Sequence, residues 1–220
     1  YDFADNQIRG DDVGGRAYWR DVGTTDSYFD ANMDLRSAVP EFNLYNRFWP
    51  IRSAQRNYPP AKFVRDVAGG RNGELVDSLV CEGTIVCSAS LVNVVAGYDC
   101  HFHSGALVDE AVILSGCDIG AGTRLRRVML DKNCAIAEGT VMGWEPKLDR
   151  ARFPFVTDGG IIVLPKGTYV PREGPIELAL DVAELLSRDP DSADIMRDRA
   201  DTWAVSKRPR YSDQAASAAL

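Results

Sequence analysis

Cys100-His101-Phe102-His103-Ser104-Gly105-Ala106, Cys117-Asp118-Ile119-Gly120-Ala121-Gly122-Thr123 and Cys134-Ala135-Ile136-Ala137-Glu138-Gly139-Thr140 are successive lines of one repeat, each 17 residues after the last. Cysteine falls on cysteine and glycine on glycine. Carried backwards, the offset puts Ile85 in register with Phe102, Ile119 and Ile136, and Val95, Val112 and Met129 form a second apolar column. The region from about Val76 is rich in Val, Ile and Gly and carries no sustained helical stripe. A short period of this kind predicts a parallel β-helix with about three hexapeptide-like faces per coil. Each coil hides its apolar side by stacking on the next, so residues at one register form interior columns. The repeated cysteines then serve as small hydrophobes in such a column, and the glycines occupy tight corners. The pattern stops after Gly143, and Gly160–Leu164 reads as a last strand.

The rest of the chain is bounded by composition. It has 220 residues, 45% hydrophobic content and a net charge of −7. That suffices for a real core and argues against a broad nucleic-acid or anionic-membrane surface. Basic residues that bind phosphate must therefore act locally. No apolar run reaches membrane-spanning length and no signal peptide is visible. A start at Tyr1 rather than Met reads as a piece of a longer protein. The cysteines, Cys81, Cys87, Cys100, Cys117 and Cys134, are odd in number with no CxxC pair, as expected of buried reduced thiols. His101 and His103, the only histidines, have no cysteine partner at ligand spacing, which disfavours zinc. No acyl-CoA motif accompanies them, so exposed or locally satisfied histidines are expected rather than a general base.

Ahead of the repeat, residues 1–24 look like strand and loop, and Thr25 can cap a helix over roughly Asp26–Arg36. Pro50, Pro59 and Pro60 among aromatics suggest an extended linker. At the other end, Pro175–Ser187 could form an amphipathic helix before a charged, then Ala/Ser-rich tail. Within Tyr18-Trp19-Arg20-Asp21-Val22-Gly23-Thr24, Trp19 and Asp21 would face one side of an extended strand. An aromatic face beside a carboxylate suits a sugar phosphate neutralised by Mg²⁺, which takes one or two carboxylates plus substrate phosphates. Composition alone favours a plainer reading, a buried Trp19 with an Arg20–Asp21 surface pair.

Motifs in series alter that balance. Tyr18–Thr24, Asn32-Met33-Asp34-Leu35, Trp49-Pro50-Ile51-Arg52, Pro59-Pro60-Ala61-Lys62-Phe63 and Asp131-Lys132-Asn133-Cys134 through Gly139-Thr140 occur in one order. Their order and spacing resemble the C-terminal half of the glucose-1-phosphate adenylyltransferases, from about residue 1 to about residue 170. The resemblance implies a mainly β protein: a left-handed parallel β-helix preceded by the tail end of an α/β nucleotide-sugar transferase domain. The implied organisation is an incomplete transferase end over 1–40, a linker over 41–75, a regulatory and oligomerisation β-helix over 76–170 and a tail over 171–220.

The resemblance also implies a nucleotidyltransferase making ADP-glucose and pyrophosphate from ATP and glucose 1-phosphate, cytoplasmic or plastidial, homo-tetrameric and regulated by anionic metabolites. By it, Asp21 matches a ligand of catalytic Mg²⁺ and Trp19 lies beside the glucose phosphate. Lys132, Arg152 and Lys166 match basic positions of the effector site. Convergent Arg and Lys suit a phosphate or carboxylate, although lone surface cations are usually just solvated. The family's glycine-rich nucleotide loop, catalytic Arg and Lys and second metal Asp have no counterpart here, so this polypeptide alone is expected to be inactive. Glu82 departs from the small residue usual near the effector pocket and would weaken anion binding. Two other readings stay open: a non-catalytic regulatory or assembly module of a sugar-nucleotide enzyme, and a hexapeptide-repeat acyltransferase.

Overall fold

The computed structural model describes residues 18–52, 57–65 and 73–176. Helix α1 (Thr25–Leu35) comes first. The strands β1 (Lys62–Val64), β2 (Leu75–Val76), β3 (Leu79–Val80), β4 (Ile85–Cys87), β5 (Ser90–Ala96) and β6 (His101–Phe102) follow. They continue through β7 (Leu107–Ile113), β8 (Asp118–Ile119), β9 (Arg124–Leu130), β10 (Ala135–Ile136) and β11 (Val141–Met142). Helix α2 (Pro146–Arg152), β12 (Ile162–Leu164) and β13 (Tyr169–Val170) complete the order. One sheet runs β1-β4-β6-β8-β10-β13 and another β11-β9-β7-β5-β2, with β3 beside β5 and β12 beside β9. All of these pairings are parallel. The architecture is the parallel β-helix expected of the repeat, left-handed as the family resemblance implied.

The three faces arise because β5, β7 and β9 bend midway. Asn93, Glu110 and Arg127 sit there with φ of 57°, 48° and 49°. That left-handed conformation is costly for residues other than glycine. Stacking offsets the cost, and Arg127 Nη1 donates to Glu110 Oε2 at 3.1 Å across the coil step.

Interior columns follow the ladder. Val86, Phe102, Ile119, Ile136 and Val170 are paired in succession and all buried. Leu91, Val108 and Leu125 make a second column, and Ala96, Ile113, Leu130 and Leu164 another. Cys100, Cys117 and Cys134 are buried as a column. Threonines continue this column at both ends: Ile85 N–H donates to Cys100 O and Thr84 Oγ1 accepts from Cys100 N–H, while Ala135 N–H donates to Thr168 O. Each side chain in it turns a donor to a corner carbonyl: Thr84 to Gly97 at 2.8 Å, Cys100 to Leu114 at 3.3 Å, Cys117 to Asp131 at 3.1 Å and Cys134 to Pro165 at 3.2 Å. Cysteine here substitutes for threonine as a small buried donor. Hydrogen bonding to Cys100, then to Cys134, then burial pushes the Cys117 thiol up, consistent with that role.

Several sequence expectations change. Ile85 is not in the Phe102 column; it pairs with His101, half-buried, and Val86 takes the interior place. This coil is one residue shorter than 17, and a one-residue slip exchanges the inward and outward faces. Val95, Val112 and Met129 do form a register column, but it faces outward. Val112 and Met129 pack there with Phe29 of α1 and Ile161. The coil does not end at Gly143. The chain leaves it through α2 and returns, β12 pairing with β9 and β13 with β10. Buried Asp149 fastens the excursion, accepting from Gly143 N–H at 3.2 Å and Glu145 N–H at 3.1 Å. Gly143 is obligatory: a Cβ there would lie 1.7 Å from Arg126 O. The segment read as a linker contains β1, already paired with β4. The helix expected over Pro175–Ser187 falls outside the described residues beyond Ile176.

Helix α1 is capped by Thr24, one residue before the expected Thr25. Thr24 Oγ1 accepts from Ser27 N–H and Ser27 Oγ from Thr24 N–H, both at 3.1 Å, a reciprocal capping box. Asp26 Oδ1 then accepts from Thr157 Oγ1 at 2.7 Å, fixing α1 to the segment after α2. Thr24→Ala should lower stability by about 1 kcal/mol, the usual worth of such a cap. Chemical denaturation of the purified variant measures this.

Candidate functional site

The Tyr18–Thr24 motif sits where α1 meets the β-helix. Asp21 Oδ1 accepts from Gly23 N–H at 2.9 Å, so the carboxylate closes a tight turn just ahead of the Thr24 cap. Trp19 is 72% exposed, and Arg20 reaches Asp34 at 3.9 Å rather than Asp21. The plainer reading, a buried indole with an Arg20–Asp21 pair, is therefore overturned. An exposed indole two residues from an exposed carboxylate is instead available to a ligand.

Beside this turn lies an open cavity of about 820 Å³. Val22, Gly23, Thr24 and Tyr28 line one side; Asp131, Phe155 and Pro165 are among those lining the other. Asp131 and Pro165 lead directly into Lys132 and Lys166. Both lysines are exposed and occupy one corner on successive coils, for Gly167 N–H donates to Lys132 O at 2.8 Å. Asp131 Oδ1 accepts from Lys132 N–H at 2.7 Å. Two ammonium groups one coil step apart, about 5 Å along the axis, suit a shared anion.

Arg152 stands apart from this pair in its contacts. Its guanidinium lies 5.2 Å over the Phe153 ring, donates through Nε to Gly174 O at 3.3 Å and through Nη2 to Pro171 O. It ties the end of α2 to the loop after β13.

Glu82 lies on the same corner line as the lysines. The line is marked by one repeated hydrogen bond: Asp99 N–H to Glu82 O, Gly116 N–H to Tyr98 O, Asn133 N–H to Ser115 O and Gly167 N–H to Lys132 O. Glu82 is thus three coil steps from Lys132, roughly 14 Å. That exceeds the screening length of about 8–10 Å at ordinary salt. Its expected weakening of an anion site at Lys132 is accordingly small.

The role of the Asp21 turn, and the cavity between the turn and Asp131–Pro165, were not legible beforehand. The spacing of Asp21 to Gly23 was the available signal, since Asp commonly accepts from the backbone two residues on.

The fold and this corner define a hexapeptide-repeat β-helix with an appended N-terminal segment. The family model for the GlmU-like C-terminal hexapeptide matches residues 59–164. Over most of its length the chain is similar to part of the glucose-1-phosphate adenylyltransferases. It is 42% identical to that of Arthrobacter sp. (strain FB24) over 185 residues, 84% of this chain and 40% of that protein. It is 45% identical to that of Koribacter versatilis over 161 residues, 73% of this chain and 38% of that protein. For Leifsonia xyli the identity is 45% over 170 residues, 77% and 41% of the two chains. The chain spans about two-fifths of the length of the curated relatives it matches. Among the described residues, no helix is long and apolar enough to cross a membrane.

Proposed function

We propose that this chain is the regulatory C-terminal part of an enzyme that joins ATP and glucose 1-phosphate into ADP-glucose and pyrophosphate. The similarity to adenylyltransferases over 84% of the chain carries the reading. In it, Trp19 lies against the sugar phosphate and Asp21 supplies one oxygen to Mg²⁺. The donor set fits in part. Asp21 is an exposed hard ligand, and among the described residues it belongs to no cluster of three or more metal donors. Mg²⁺ commonly completes its shell with substrate phosphates and water. Bound there, the ion would neutralise the phosphate charge that develops during transfer.

Lys132 and Lys166 form the anion site for a metabolite effector, while Arg152 holds the loop after β13. The protein is a homo-tetramer in this reading. Exposed Leu107 and Val141, on either side of Arg124 in one row of the outer sheet, belong to the surface available for association.

The test uses the full-length protein. Expected are Mg²⁺-dependent formation of ADP-glucose and stimulation by phosphorylated or carboxylate metabolites. The Lys132→Ala/Lys166→Ala variant should keep its basal rate while its half-saturating effector concentration rises roughly 10–100-fold. That is the loss of a charge-assisted contact worth about 1.5–3 kcal/mol. A full-length protein that binds sugar nucleotide without turnover would instead favour the non-catalytic module.

A further inference from the structure

We propose that the outer face of the sheet through β4, β6 and β8 holds a zinc-type metal site. His101, His103 and Asp118 are its core ligands and Cys87 its flanking fourth donor. This site is separate from the Asp21 turn and does not rest on the enzymatic reading.

The register creates it. β6 and β8 pair His101 with Asp118, putting the two side chains side by side on adjacent coils. His103 lies two residues beyond His101, on the same outward side, while Phe102 between them enters the core. The two imidazoles stack with centroids 3.9 Å apart. His103 Nε2 is 2.7 Å from Asp118 Oδ1. One donor atom from each of His101, His103 and Asp118 falls within 4.8 Å of the others. Cys87 comes from the preceding coil, its Sγ 3.6 Å from His101 Nε2.

The distances suit a small ion. Zinc bonds of about 2.0–2.3 Å in a tetrahedron separate ligand atoms by roughly 3.3–3.7 Å. The Cys87–His101 separation already matches. The His103–Asp118 contact must open by somewhat under 1 Å, the wider gaps among His101, His103 and Asp118 must close by at most about 1.5 Å, and Cys87, which lies outside that 4.8 Å group, must swing further in by rotation about its own side chain. Donor chemistry selects the ion: imidazole and thiol favour Zn²⁺ or Co²⁺ over the Mg²⁺ expected at Asp21. The two histidines lack a cysteine at ligand spacing in sequence because the cysteine is supplied one coil earlier. The spacing argument against zinc fails for that reason.

Metal-free protein, without added histidine tags, is titrated with Co²⁺ and then Zn²⁺. Expected are one Co²⁺ per chain, the visible ligand-field bands of a four-coordinate ion, a near-ultraviolet thiolate charge-transfer band, and displacement by Zn²⁺. His103→Gln should weaken Co²⁺ binding by about 100-fold or more, beyond the 10–100-fold typical of groups that only support a ligand. Cys87→Ser should remove the charge-transfer band, whereas Cys81→Ser should keep it. Circular dichroism of each variant verifies the fold. Absence of the bands in folded wild-type protein, or unchanged binding in folded His101→Gln/His103→Gln, overturns the site. A cobalt spectrum without the thiolate band overturns the assignment of Cys87.

Discussion

Phe102→Ala should cost about 3–5 kcal/mol, the range for emptying a well-packed aromatic site. Phe102 is fully buried, with Val86 and Ile119 directly above and below it in the ladder. Neither neighbour can collapse into the void without breaking the parallel pairing of its strand to the adjacent coils. A solenoid transmits loss chiefly to adjacent repeats. Coils on either side of Phe102 should therefore lose hydrogen-exchange protection first. Phe102→Ile, which installs the residue found at Ile119 and Ile136, should recover much of the loss. Phe63→Ala, at a ring 54% exposed on β1, is the control and should change little. Denaturant midpoints of the three variants decide it. A Phe102→Ala cost below about 1 kcal/mol would mean that the register placing Phe102 inside is wrong.

That register was legible where the period is strict and lost where it varies. Cys100, Cys117 and Cys134 recur at 17 residues, and all lie in one buried column. Backwards from Cys100 the step shortens by one, so the same rule chose Ile85 over Val86. Ile85 and Val86 are both apolar, so alternation cannot choose between them and only the ladder register does. The outward column of Val95, Val112 and Met129 misled for a related reason. Apolar periodicity reports burial, not which body does the burying, and here Phe29 of α1 covers the outside.

The excursion through α2 hid the last coil because it interrupts the period without ending the stack. Candidate positions were legible as residue types in sequence order. Their grouping was not. Lys132 and Lys166 are 34 residues apart yet neighbours on one corner, and Glu82 proved remote although it shares their line. Cys87, His101 and Asp118 likewise meet only through the coil register.

Asp21→Asn, made in the full-length protein, should lower turnover by on the order of 10²–10³-fold, the loss typical when one stabiliser of transition-state charge is removed. The substitution is discriminating because Asp21 has two possible duties. Its Oδ1 accepts from Gly23 N–H and shapes the turn before Thr24. An Asn Oδ1 accepts the same hydrogen bond, so the turn and the thermal midpoint should persist. What Asn cannot supply is the charge that draws Mg²⁺. Asp21→Ala removes both. If Asp21 only shapes the turn, Asn should work nearly as well as Asp, and Ala should fail. If it ligates the ion, Asn and Ala should both fail in turnover, with a raised Mg²⁺ requirement, and only Ala should disturb the α1 cap. A near-normal rate for Asp21→Asn would leave the metal without this ligand. It would reduce the Tyr18–Thr24 corner to a structural clasp between α1 and the β-helix.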